Sequence, residues 1–150
     1  MTGNDPKSRF FARTMHTPDD PQRAKLRAAL RDLSRTLIPL HRRLIEETKA
    51  DYVFAYQPVE TPAQLLGLLQ NDPFFEWLKP ITTLIVDIDE MVRIDFEPAA
   101  VEDIVRRAEA LFAVESGPFH DRYAPLMQRD VDVAVGHVQV RKLITLLRSQ

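Results

Sequence analysis

PQRAKLRAALRDLSRTLIPLHRRLIEETKA, residues 21–50, carries leucines at positions 26, 30, 33, 37, 40 and 44. Steps that alternate between four and three residues bring all six to one side of an α-helix, the amphipathic seam of a helix packed in a bundle. Unbroken, the segment would reach about 45 Å at roughly 1.5 Å per residue, long enough to be the spine of the fold. Pro39 lies inside it. Its ring has no N–H for the carbonyl of Arg35 and crowds that carbonyl, so a kink or a division is expected there.

Upstream of this seam, residues 1–20 contain Gly3, Asn4, Pro6 and Pro18 and show no sustained period. They read as an N-terminal arm, loosely ordered unless it docks, with FFARTM at 10–15 as a candidate docking point. Downstream, Thr61, Pro62 and Gln64 form a capping-box pattern that opens the short apolar run AQLLGLL, a helix expected to end near Asn71. DPFFEWLKP at 72–80 then starts another helix, with Asp72 as cap and Pro73 in the first turn. It meets Pro80 as the first helix meets Pro39, and continues through Ile81, Leu84, Ile85, Ile88, Met91 and Val92 at helical spacing. Pro98 opens a further helix with Val101, Ile104, Val105, Ala108, Leu111 and Phe112 on its inner face, closing before Gly117 and Pro118.

The last segment carries two signals. Val131, Val133 and Val135 alternate with Asp132 and Ala134 as in a half-buried strand. A helix accounts for more of the residues, since Val133, His137, Val140, Ile144 and Leu147 share one stripe and Asp130 stands where a cap is needed. The expected fold is therefore all-α, an irregular bundle of four to six helices forming one domain over residues 21–150, behind the arm at 1–20.

Composition narrows the chemistry. A chain of 150 residues can bury a working core without metal or disulfide staples, and its zero cysteines exclude thiolate catalysis, thiolate metal sites and disulfides. That usage fits a reducing compartment, so a cytoplasmic location is expected. The first twenty residues lack the apolar core of a secretion signal, and ITTLIVDIDEMV is interrupted by Asp87, Asp89 and Glu90, short of the roughly 18 apolar residues that cross a bilayer. No membrane association is expected. Residues 1–50 carry 11 Lys or Arg against 6 Asp or Glu, whereas residues 51–115 carry 4 against 13. A basic first part and an acidic middle can neutralise each other when packed side by side, and they can also steer outside partners.

LHRRLIEE at 40–47, the DPFFEWLKPIT block, LIVDIDE at 84–90 and the ending QRDVDVAVGHVQVRKLI resemble a group of small, uncharacterised bacterial helical proteins. The resemblance runs from about residue 24 onward. It implies helix for the last segment and for the β-rich run ITTLIV at 81–86, and it implies no activity and no functional residues.

The residues that could carry chemistry are few. His41 lies beside the leucine seam and His137 on the last stripe, but paired ligands one turn apart are absent, so no metal and no cofactor are implied. Asp87 and Glu90 share a helix face while Asp89 points elsewhere, which suits a salt-bridging surface better than a cation loop. Arg23, Arg27, Arg31 and Arg35 recur every fourth residue, yet a sequence pI near 6.1 and the lack of interleaved aromatics argue against nucleic acid. No Gly-x-Ser-x-Gly turn or phosphate-cradling loop occurs.

Phe74, Phe75 and Trp77 remain. Read with an α-helical period, Phe74 and Leu78 share a face while Phe75 and Trp77 diverge, so one or two of these rings should be partly exposed as protein contacts. The leading functional expectation is a non-enzymatic bacterial helical protein acting through association with another protein or with itself, by way of the Trp77 region or the exposed part of the first helix. The alternative is a small-ligand or metal-binding bundle with a pocket near His41, Trp77 and His137.

Overall fold

The computed structural model describes residues 20–150; the arm and its FFARTM docking point lie outside the described residues. Six α-helices and one 3-10 helix follow one another, and no strand occurs among the described residues. They are α1 (Pro21–Ala55), α2 (Pro62–Asn71), the 3-10 segment Pro73–Leu78, α3 (Lys79–Arg93), α4 (Pro98–Phe112), α5 (Pro118–Arg129) and α6 (Val131–Arg148).

Helix α1 begins where Asp20 accepts a hydrogen bond from the Arg23 amide at 2.8 Å, ahead of Pro21 in the first turn. Its six seam leucines are all buried, and Thr48 and Tyr52 prolong the seam past residue 50. The helix runs through Pro39 without dividing. Pro39 is exposed, so water can reach the carbonyl of Arg35 that loses its donor, while Leu37 and Leu40 on the opposite side hold the helix against the core.

At Pro80 the chain takes another route. Pro80 cannot donate to the carbonyl of Glu76, and the Lys79 amide takes that carbonyl instead, closing a 3-10 turn. Helix α3 then starts with Pro80 in its first turn, where no amide hydrogen is required. The capping box of α2 forms as expected: Thr61 Oγ1 accepts from the Gln64 amide at 3.1 Å and Gln64 Oε1 accepts from the Thr61 amide at 3.1 Å. Helix α5 was not marked by periodicity. It opens after Gly117, whose φ of 113° needs a residue without a Cβ, and it holds an exposed Pro125 in its interior.

Helix α1 packs on α3 along one flank and on α6 along the other, while α6 also meets α4 and α5. One continuous core joins the α1 leucines to Phe75, Leu78, Ile81, Leu84 and Ile88, to the inner residues of α4, and to Tyr123, Val133, Val140, Ile144 and Leu147. The last segment is helical, and Asp130 caps it by accepting from the amides of Asp132 at 2.9 Å and Val133 at 3.2 Å.

Of the arginine stripe on α1, Arg27 is buried. Its Nη1 donates to the carbonyls of Val92 at 2.6 Å and Ile94 at 3.1 Å, and its guanidinium lies 5.0 Å from the centre of the Phe96 ring. A cation is thus set at the negative end of α3, where orphan carbonyls need donors. Replacing Arg27 by Met keeps the stem and leaves those carbonyls unpaired. Arg27→Met is expected to cost about 2 kcal/mol and to lower the thermal midpoint by about 4–8 °C, read by calorimetry.

Candidate interaction surface

The 3-10 segment sets the aromatic block by a period of three, in which side chains at i and i+3 eclipse. Phe75 and Leu78 therefore point together into the core, each almost without exposure, and Phe74 and Trp77 form the adjoining ridge, partly buried. The α-helical pairing of Phe74 with Leu78 does not occur. Phe75 is a core residue and offers nothing to a partner.

Phe74 packs edge-on against Tyr52 and Tyr56, with ring centres 5.7 and 5.6 Å away. Arg122 of α5 lies 4.8 Å from the centre of the Phe74 ring and 5.4 Å from that of Trp77, and donates to the Phe74 carbonyl at 3.2 Å. One guanidinium covers both rings and fixes the backbone between the two prolines. Trp77 then contacts Phe119 at 5.4 Å, Phe119 stacks on Tyr123 at 5.2 Å, and Tyr123 lies 5.5 Å from His137. The Trp77 indole Nε1 is buried in this chain without an acceptor.

Trp77 and His137 thus belong to one aromatic chain, and His41 stands in the seam between α1 and α3. Its Nε2 lies 2.8 Å from Thr82 Oγ1, and that hydroxyl donates to the carbonyl of Leu78 at 3.2 Å. Nδ1 of His137 lies 3.0 Å from the Tyr123 hydroxyl. Among the described residues no three or more His, Asp or Glu side chains gather as metal ligands. The acidic group on α3 is divided, with Asp87 pairing Arg107 of α4 at 2.8 Å and Asp89 accepting from Ser34 Oγ of α1 at 2.6 Å.

Exposed apolar side chains lie earlier in the chain than the aromatic block, at the end of α1 and on α2. Phe54, at the end of α1, is 95 % exposed, and Val53, Tyr56 and Leu66 are exposed with it. Helix α2 is the apolar run AQLLGLL, yet none of its residues is fully buried; it leans on the 3-10 segment with Leu65, Leu68 and Leu69 partly covered. A signal for Phe54 existed, because it falls two residues off the 44, 48, 52 continuation of the seam.

At the start of α6, Asp130 is buried and accepts from Arg43 Nε at 2.7 Å. The Arg43 guanidinium holds the Asp130 carboxyl well below the carboxylate range, and the hydrogen bond that Glu47 shares with Asp130 lifts the Glu47 carboxyl above its ordinary 4.5. Arg129 closes the group on Asp51 at 2.9 Å.

The chain matches no protein-family model, no curated protein and no solved structure.

Burial pushes His41 and His137 below their ordinary 6.5, with Arg141 and His120 adding to the effect at His137. A base depressed in the folded state protonates first in the unfolded chain. Its contribution is complete above pH 6.5 and is lost as the pH falls below that value. The raised carboxyl of Glu47 works in the opposite sense, so the comparison must be with a variant. The thermal midpoint of the native chain is expected to fall more between pH 7 and pH 5 than that of a His41→Gln/His137→Gln chain; equal slopes would remove the histidines from the account.

Proposed function

We propose that the protein is a non-enzymatic helical association module of the bacterial cytoplasm, which seats a partner protein on the apolar end formed by Phe54, Tyr56 and Leu66, with Phe74 behind them. The observation that carries this reading is Phe54, a phenylalanine almost wholly in water at the end of α1, together with helix α2, none of whose leucines is completely buried. Exposed aromatic anchors ringed by apolar neighbours are what protein contacts use, and a ring with two rotatable bonds gives much contact area for little entropy lost. Trp77 and Phe74 support that end from within, held by Arg122.

His41 bonds Thr82 across the α1–α3 seam, while Trp77 and His137 belong to the aromatic chain; that the three share no common partner weighs against one pocket for a small ligand or a metal. The absence of cysteine fits the cytoplasmic setting, and no helix among the described residues is long and apolar enough to cross a membrane.

Phe54→Glu is expected to leave the thermal midpoint unchanged, within about 0.5 kcal/mol, because Phe54 touches little. A photo-crosslinking phenylalanine analogue at position 54, expressed in bacterial cells, is expected to give one discrete heavier species that Leu66→Glu abolishes. A pattern no different from the same analogue at the exposed Glu76 would refute the reading.

A further inference from the structure

Helix α6 has a second apolar face. Its core stripe, Val133, Val140, Ile144 and Leu147, is buried. On the opposite side Val131, Val135, Val138 and Leu146 are exposed, with Val131 at 74 % and the others near half. Positions 131, 135, 138 and 142 follow one another by four, three and four residues, the spacing of a two-helix seam, with Lys142 as its one polar member. An amphipathic helix on a bundle surface needs one apolar face, and β-branched residues on its outer side are unfavourable for helix formation unless something covers them.

We propose that this outer face is covered by α6 of a second copy of the chain, running antiparallel across a two-fold axis. Charge along the helix selects that occupant and that direction. The exposed charge at its start is Asp132, and those of its second half are Arg141, Lys142 and Arg148. An antiparallel pair lays the acidic start of each helix on the basic half of the other, whereas a parallel pair sets like charges side by side.

The register follows from the seam. With the axis level with residues 136–137, Val135 of each copy meets Val138 of the other, and Val131 meets the aliphatic stem of Lys142. The ammonium of Lys142 is then one residue from Asp132 of the second copy. Lysine at a seam position is thereby satisfied rather than buried alone, its stem on valine and its charge on a carboxylate. The surface is isologous, as a two-fold dimer requires, and its residues are distinct from those of the Phe54 end.

Sedimentation equilibrium of the full chain tests this. The native protein is expected to be a dimer at sub-millimolar concentration, and Val138→Glu is expected to raise the dissociation constant at least about 30-fold by placing a carboxylate in the seam. Its thermal midpoint under dissociating dilution should match that of the native chain. Asp132→Lys and Lys142→Asp are each expected to weaken the dimer, and a chain carrying both should recover it.

Because the chain has no cysteine, direction is tested by oxidation. Val131→Cys with Lys142→Cys in one chain should give a cross-linked dimer, and each alone should not, since an antiparallel pair sets like positions about 16 Å apart, beyond disulfide reach. A monomeric native protein, a dimer indifferent to Val138→Glu, or cross-linking by Val131→Cys alone would overturn the proposal. Phe54→Glu should leave the dimer intact; a dimer lost in that variant and kept in Val138→Glu would place self-association at the other end and likewise overturn it.

Discussion

Every other helix in this bundle is placed, directly or through one neighbour, by the leucine seam of α1. That seam serves two partners at once, α3 on one flank and α6 on the other, so α1 has to stay straight enough for both. Gly136 sets how near α6 can come: a Cβ there would stand 3.2 Å from Cδ1 of Leu40, tighter than ordinary packing. Leu40 is the residue after Pro39, so the proline that threatens the helix on its wet side is matched on the dry side by a close α1–α6 contact. The ion pair of Arg43 with Asp130 then ties the next turn of α1 to the start of α6.

The distribution of charge has a consequence for how the acidic middle of the chain is neutralised. Two arginines of α1, Arg27 of the stripe and Arg43 beyond Pro39, reach the ends of other helices. Arg27 goes to backbone carbonyls at the end of α3, and Arg43 goes to a capping aspartate at the start of α6. Acidic residues of the middle segment are met largely from elsewhere, Asp87 by Arg107 and Glu109 by Arg148, while Asp51 takes Arg129. Buried and half-buried charges at helix ends hold direction as well as position, since a dipole end and an orphan carbonyl have to be reached from one side.

How far the residues alone disclose this structure depends on whether a pattern is local. The α1 seam, the capping box at Thr61, the helix after Pro98 and the Asp130 cap are local periodicities or local hydrogen bonds, and each stands where the residues place it. The errors have tertiary causes. Pro39 does not divide α1 because the helix is clamped on its far side, which no property of residues 35–39 contains. Phe75 enters the core because two prolines, at 73 and 80, hold the intervening turn in a 3-10 helix and change its period from 3.6 to three. Helix α5 escapes a periodic reading because Pro125 and a run of mixed polar residues obscure it; its Tyr123 is buried against Phe112 of α4 and His137 of α6, contacts distant in sequence.

The strand-like alternation at 131–135 is the most instructive case, because both of its readings rest on real features. Val133 belongs to the core stripe, and Val131 and Val135 belong to the outer one. A helix with a single apolar face would have shown polar residues at 131 and 135, and the alternation would not have arisen. The ambiguity in the sequence is therefore the imprint of two apolar faces on one helix, the inner one spent on α1, α4 and α5. A helix whose pattern fits no single period carries, in that misfit, information about a second surface. Here that surface carries Asp132 near its start and Lys142 in its second half, which gives it a direction as well as an area.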